Sequence, residues 1–284
     1  MRNDRIEKIG SSVIQHGKMN DRIYLMKLDE KDLPGIIGRL DSLAVSRGYS
    51  KIFAKVPFTS LPFFLDNGYA EEARVPGFYG GSVDGSFLGK YFSGERERND
   101  DASEVEEVLR LCREKAQAPE PGYGGEIVFR KAGPSDIPDM GRIYSEVFKS
   151  YPFPIHDPRY LLETMKTHVN YFVACDGEKV IGVSSSETDS ASGNAEMTDF
   201  ATLPEYRGRG VAGGLLAFMD ERAGEEGFFT AYTIARALSR GMNITFARNG
   251  YTFAGTLVNN TNIAGSIESM NVWYKRLKGE RVKG

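Results

Sequence analysis

Two carboxylates and a basic, glycine-rich loop lie within one short stretch of this chain: Glu196 and Asp199, then Arg207-Gly208-Arg209-Gly210-Val211-Ala212. Glycines let a backbone come close to a ligand, and successive N–H groups at a helix start form a seat for anionic phosphates. Arg207 and Arg209 add cationic donors for the same anion. Glu196 stands eleven residues before Arg207, on the segment that leads into the loop. A carboxylate is one of the side chains that can serve as a general base. An alkyl ammonium has a pKa of about 10.4, so at neutral pH it must lose a proton before it can attack an acyl group. Strand alternation puts Glu196 on one face with Thr198 and Phe200, and Asp199 on the other with Met197 and Ala201. A bulge would reset that alternation. Glu196 is therefore the first candidate base, and Asp199 the second, as base or as partner of a substrate ammonium.

The elements that must hold these residues read as a mixed α/β (α+β) pattern. After a linker at 118–125, Ile127–Ala132 reads as a strand, Ser135–Phe148 and Pro158–Thr167 as helices. Tyr171–Cys175 and Val180–Glu187 form a hairpin over Asp176-Gly177, and Glu196–Leu203 is the next strand. Helix Arg209–Glu225, strand Phe228–Ile234, helix Ser239–Arg248 and strands Tyr251–Val258 and Ser269–Tyr274 follow. Upstream, strand Arg22–Leu28, helix Lys31–Arg47, strand Ser50–Val56 and helix Ser60–Asp66 echo this second half. Asn67-Gly68-Tyr69 matches Asn249-Gly250-Tyr251, and Gly48-Tyr49 matches Gly227-Phe228. The earlier copy has Asp29-Glu30-Lys31-Asp32 where phosphates would bind, and those carboxylates would repel them. The expected organisation is an N-terminal domain over 1–92, a charged connector with one helix over 93–125, and a second domain over 126–284. Ser93–Asp101 is too polar for a core element, and Asp101 or Ser103 is the expected N-cap of the connector helix.

Composition narrows the function. The chain has 284 residues, 40% hydrophobic and 26% charged, with a net charge of −3, and no basic stripe suggests nucleic acid as a partner. No apolar run reaches a membrane span and no signal region opens the chain, so a cytoplasmic protein is expected. Cys112 and Cys175 are expected to be buried small hydrophobes. His16, His156 and His168 lack metal-ligand spacing, so no metal is expected. The loop Tyr151-Pro-Phe-Pro-Ile-His-Asp-Pro could line a pocket. Gly208-Arg-Gly210-Val-Ala-Gly213 also satisfies the G-x-G-x-x-G dinucleotide pattern. That reading is disfavoured because strand Phe228–Ile234 ends at Ala235-Arg236 with no acid for a ribose.

Arg207-x-x-Gly210-x-Ala212 resembles the (Gln/Arg)-x-x-Gly-x-(Gly/Ala) loop of the GNAT acyltransferase superfamily. The order of elements is similar to that fold, so a GNAT fold is implied after residue 126 and a degenerate GNAT-like copy before it. The resemblance implies acetyl-CoA as co-substrate. It implies coenzyme contacts from Arg207, Gly208, Arg209, Gly210, Val211 and Ala212, and backbone polarisation of the thioester by Ala201 and Thr202. Asn243 matches an asparagine that contacts the coenzyme in that superfamily. Phe246 or Ala247 stands where many members carry a tyrosine acid, so Tyr232, Tyr274 or unassisted departure of the thiolate must replace it.

Longer stretches resemble the β-lysine N-acetyltransferase family: residues 4–17, 20–28, 194–202 and Ser269-Met-Asn-Val-Trp-Tyr-Lys275. This implies acetyl transfer to the side-chain amine of β-lysine, giving the osmolyte N6-acetyl-β-lysine, and a functional link to a lysine aminomutase. The substrate carboxylate could meet Arg236, and its other ammonium Glu187, Asp189 or Glu268. The competing readings are another amine acceptor (a polyamine, an amino acid or a protein lysine) or a non-catalytic CoA-binding module. Oligomeric state is left open.

Overall fold

The computed structural model describes residues 4–117, 126–148, 151, 153–263 and 265–277, so the linker expected at 118–125 lies outside the described residues. Its N-terminal half comprises β1 (Arg5–Ile9), β2 (Ser12–Gly17), β3 (Arg22–Lys27), α1 (Gly35–Arg47), β4 (Lys51–Pro57), α2 (Leu61–Leu65), β5 (Ala70–Tyr79) and β6 (Val83–Tyr91). The connector carries α3 (Gly94–Glu97) and α4 (Ala102–Lys115). The C-terminal half comprises β7 (Ile127–Lys131), α5 (Ile137–Val147), α6 (Pro158–Met165), β8 (Val169–Asp176), β9 (Lys179–Asp189), β10 (Asn194–Thr202) and α7 (Val211–Glu225). It ends with β11 (Thr230–Arg236), α8 (Arg240–Arg248), β12 (Thr252–Ile263) and β13 (Ser266–Arg276). Hairpins β1–β2 and β5–β6 were not legible as strands in the sequence.

The strands form one sheet in the order β1-β2-β3-β4-β6-β5-β12-β13-β11-β10-β9-β8-β7. Read outward from the β5–β12 seam, the two halves have the same order, with β7 added at one edge. β3–β4 and β10–β11 are the parallel pairs, each crossing over through one helix, α1 or α7.

The repeat extends to single hydrogen bonds. Gly48 and Gly227 both adopt positive φ after α1 and α7 (62° and 87°). The next residues close the helix ends alike, Tyr49 N–H to Ala44 O (2.9 Å) and Phe228 N–H to Ala223 O (3.0 Å). Gly68 and Gly250 share φ 79°, and Phe64–Tyr69 and Phe246–Tyr251 make matching edge-to-face pairs at 5.1 and 5.3 Å. Register irregularities at Glu71/Ala73 and Val75/Tyr79 in β5 recur at Phe253/Gly255 and Leu257/Thr261 in β12, at one constant interval in sequence. In the first half, the place of the phosphate loop is filled by the chain itself. Asp32 accepts from the N–H groups of Ser11 and Ser12 (2.9 and 2.8 Å) and from Ser12 Oγ (2.7 Å).

The seam is apolar on one face and cross-bonded by cations at its end. Phe53, Val75, Phe78, Phe87, Tyr232, Leu257 and Val272 form a buried cluster from both halves. The β12 bulge frees three consecutive carbonyls, and each accepts from a different cation of the N-terminal half or connector. Lys51 Nζ donates to Val258 O (2.7 Å), Arg96 Nε to Asn259 O (2.6 Å) and Arg22 Nη1 to Asn260 O. Burial pushes the Lys51 pKa down to about 8, against the pull of its partner Glu72 (3.0 Å).

The polar connector is thus not merely a surface link: Arg96 of α3 is buried and also bonds Ser50 Oγ and Asn20 O. Asp101 takes the N-cap position of α4 without a side-chain capping bond. By packing, α4 belongs with the C-terminal core, where Val105, Val108, Leu109 and Cys112 meet α7 and α8. Cys112 and Cys175 are both buried and free. No helix among the described residues is long and apolar enough to cross a membrane.

Candidate active site

β10 and β11 pair only from Asn194–Thr230 to Glu196–Tyr232 and then part, β10 staying with β9 and β11 with β13. The splay opens a wedge whose closed end is Glu196 and whose mouth leads to the N-terminus of α7. A cavity of about 1140 Å³ fills this wedge and continues across the seam into the N-terminal half. Tyr24, Phe53 and Lys55 line it from one half, and Glu187, Glu196, Asp199 and Tyr232 from the other.

At the mouth, Gly208 (φ 77°) and Gly210 (φ 75°) hold left-handed conformations, and a Cβ at Gly208 would meet open space. The first helical bond runs from Gly214 N–H to Gly210 O (2.9 Å), so the amides of Val211, Ala212 and Gly213 precede the ladder and point out of the helix end. Thr202, Arg207, Gly208, Gly210, Val211 and Ala212 line the cavity. Arg207 Nε donates to Thr202 O (3.3 Å). The loop fits a pyrophosphate: unbonded amides, a helix dipole and a cation converge on space a side chain does not fill. Ala201 is buried in the core with α5 and is not among the residues that line the cavity, whereas its neighbour Thr202 is.

Two expected coenzyme contacts stand elsewhere. The Arg209 guanidinium lies over the Tyr206 ring (5.0 Å), outside the cavity lining. Asn243 is fully buried. Its Nδ2 donates to the carbonyls of Arg236 (2.9 Å), Ala237 (3.3 Å) and Ser239 (2.8 Å), and its Oδ1 accepts from Asn271 (3.0 Å) and Trp273 (2.8 Å). With its amide saturated, Asn243 pins the β11–α8 turn, a different job from the expected coenzyme contact.

The bulge between Thr198 and Ala201 resets the alternation of β10, and Asp199 takes φ 57°. Asp199 therefore faces the same cavity as Glu196, contrary to regular alternation. It accepts from Tyr151 OH (2.5 Å) and Ser185 Oγ (2.5 Å). Burial raises its pKa, against these hydrogen bonds and that of Thr198. Glu187 sits opposite Glu196 in register. Burial first, then the charges of Glu196 and Asp199, push Glu187 up to about 8. Glu196 is also raised by burial, but Lys55 and the Tyr232 hydroxyl hold it back. Burial thus favours the protonated form throughout this cluster, and Lys55 and Tyr232 act on Glu196 in the opposite sense.

Lys55 comes from β4 of the degenerate half, and sequence reasoning missed it. Its Nζ donates to Tyr232 OH (2.9 Å), and that hydroxyl donates to Glu196 Oε2 (2.8 Å). Burial disfavours its charge, yet Tyr232, Tyr24 and Glu196 outweigh that and keep its pKa well above the ordinary lysine range. A lysine in a strand buried on both faces was the available signal. Of the residues suggested for substrate charges, Arg236 and Glu268 are spent on each other in a two-pronged pair (2.8 and 2.7 Å). Asp189 bonds the turn at Ala191 and Ser192. Tyr274 lies outside the cavity lining, Tyr232 within it, and Tyr151 and Phe153 of the Pro-rich loop line it too. Among the described residues no cluster of His, Cys, Asp or Glu is arranged to hold a metal.

A buried carboxylate at the closed end of a wedge, with a glycine-rich helix N-terminus at its mouth, is an arrangement that suits acyl transfer from a coenzyme A thioester. The Acetyltransferase (GNAT) family model matches residues 138–251. The chain is 41% identical to the beta-lysine N(6)-acetyltransferase of Methanococcus maripaludis, over 96% of this chain and 98% of that protein. It is 31% identical to the protein of the same name from Methanosarcina mazei, over 85% and 97%. It is 30% identical to the N-acetyltransferase YodP of Bacillus subtilis, over 94% and 96%. This chain belongs to the GNAT acetyltransferase family, as an acetyl-CoA-dependent N-acetyltransferase whose full-length relatives share both halves.

Proposed function

We propose that this enzyme transfers the acetyl group of acetyl-CoA to the terminal side-chain amine of β-lysine, giving N6-acetyl-β-lysine. The observation that carries the reading is 41% identity along almost the whole of both chains to a beta-lysine N(6)-acetyltransferase. The cavity suits such an acceptor, because a dicationic amino acid needs carboxylates at one end and a cation at the other, and the two halves supply them. Acetylation removes one positive charge and leaves a neutral zwitterion that can accumulate without a counterion, in keeping with an osmolyte role. An aminomutase that makes β-lysine is the functional partner this implies, and a cytoplasmic setting, where acetyl-CoA is made, fits the same reading.

In the mechanism we propose, the α7 amides, Gly208 and Arg207 hold the pyrophosphate, and the pantetheine arm lies in the β10–β11 wedge. The backbone of Ala201 and Thr202 polarises the thioester carbonyl. The substrate ammonium enters among Glu187, Glu196 and Asp199, where burial makes a cation welcome and a lone carboxylate charge costly. Glu196, held by Tyr232, takes the proton. The amine then attacks, the C–N bond forms and the C–S bond breaks; the thiolate leaves, and the second proton of the attacking nitrogen passes through solvent to it. With Phe246 on the helix where many relatives carry a tyrosine, departure is unassisted, which thiol acidity permits. Asp199 fixes Tyr151 over the acceptor and contributes charge.

The test is thiol release from acetyl-CoA with β-lysine, α-lysine, spermidine and a lysine peptide, with the acetylated nitrogen identified by mass spectrometry. A clear preference for β-lysine with the acetyl group on N6 supports the reading. Preference for another acceptor would replace it.

A further inference from the structure

Two side chains that line the cavity each carry a buried polar atom with no partner among the described residues: Nε of Arg22 and Oδ1 of Asn260. Arg22 is 6% exposed and Asn260 1%, and polar atoms so buried are costly to leave unpaired. The two residues are neighbours, since Arg22 Nη1 donates to the Asn260 carbonyl and to Thr261 Oγ1 (3.1 Å). The guanidinium also lies over the rings of Tyr24 (5.4 Å) and Phe53 (5.6 Å). Burial lowers its pKa to about 10, as befits a cation with no matched anion beside it.

The repeat shows that a guanidinium is more than the seam requires. On β10 the position equivalent to Arg22 is Asn194, whose Nδ2 makes the corresponding cross-seam bond to Phe78 O (3.1 Å). A short amide suffices for that bond. At Arg22 the surplus Nε–H is buried without a partner, on a side chain that lines the cavity. Asn260 reaches the same cavity through the β12 bulge, whose preceding residue Asn259 takes φ 44°.

We infer that Arg22 and Asn260 form the seat for the amino-acid end of the acceptor, Arg22 taking its carboxylate and Asn260 Oδ1 its adjacent ammonium. The inference rests on the proposed function and says which end of β-lysine the degenerate half recognises. Tyr24, two residues along β3 from Arg22, lines the same cavity as Glu196. The cavity is then polar along its length, with the Arg22 cation at one end and Glu187, Glu196 and Asp199 at the other. An amino acid carrying a second, distant amine would be aligned by that polarity with its far amine at Glu196.

The experiment compares β-lysine with two analogues, pentane-1,4-diamine, which lacks the carboxylate, and 6-aminohexanoate, which lacks the second amine. Wild type, Arg22→Gln, Arg22→Lys and Asn260→Ala are assayed by thiol release, with urea denaturation on each. In Arg22→Gln the preference for β-lysine over the diamine should fall about 30- to 100-fold, through KM for β-lysine. Arg22→Lys should recover part of it. In Asn260→Ala the preference for β-lysine over 6-aminohexanoate should fall about tenfold. If the variants lose activity on all acceptors in equal proportion, the residues are structural and the inference is overturned, as it is if the preferences persist. A wild type that ignores β-lysine but acetylates another amine overturns the proposed function instead.

Discussion

The Lys55 ammonium donates to the hydroxyl of Tyr232 at 2.9 Å, across the seam between the two halves of the sheet. That hydroxyl passes the bond on to Glu196. A half in which Asp32 fills the place of the glycine-rich loop therefore reaches into the cavity of the other, and places a cation beside the proposed base.

Replacing Lys55 by Met removes the cation that holds the Glu196 pKa down against burial. The base then ionises at higher pH. The acid limb of the kcat/KM profile should move to higher pH, with activity at pH 7 falling about tenfold or more. A profile that falls in height without moving would show that Lys55 acts only on binding.

Glu187 titrates at about 8 in the folded protein, against 4.5 for an ordinary glutamate. A carboxylate raised in this way binds its proton more tightly when folded. It stabilises the fold most below the unfolded value, and that advantage is lost as pH rises through 8. Glu187→Gln should accordingly raise Tm at pH 9 and have little effect at pH 5, as read by calorimetry. Equal effects at both pH values would contradict the assignment.

Gly210 holds φ 75° at the start of α7. An alanine there must either adopt the left-handed region, at about 1–2 kcal/mol, or move the α7 amides. Gly210→Ala should raise KM for acetyl-CoA about tenfold and leave KM for the amine nearly unchanged, measured by varying each substrate in turn.

Arg96→Met would strip donors from Asn259 O, Ser50 Oγ and Asn20 O at once. Orphaned buried acceptors cost about 1–3 kcal/mol each. Urea unfolding should show a loss of about 2–4 kcal/mol, and a near-neutral result would mean the seam does not depend on this connector.

Much of this was readable in advance. The left-handed glycines before α7, α7 itself and the order of elements after residue 126 follow from glycine placement and period. The weak repeat at Asn67-Gly68-Tyr69 and Asn249-Gly250-Tyr251 proved to extend through turns, registers and bulges. The bulge in β10 was the limit of local reasoning, because it turns Asp199 toward Glu196 and alternation alone points it away. Lys55, Arg22 and Asn260 were hidden for another reason. Their meaning depends on which strand of one half meets which strand of the other, and nothing local encodes that pairing. Arg236 and Glu268 looked like substrate ligands individually, and only their mutual pairing removes them.

The most direct measurement is the rate of thiol release from acetyl-CoA with β-lysine for wild type and Glu196→Gln, with coenzyme binding measured on the same samples. The account predicts rapid N6-acetylation by wild type and a loss of about 10²- to 10⁴-fold in kcat for the variant, with coenzyme affinity retained. Coenzyme binding without turnover on any amine, or a Glu196→Gln enzyme as fast as wild type, would contradict it.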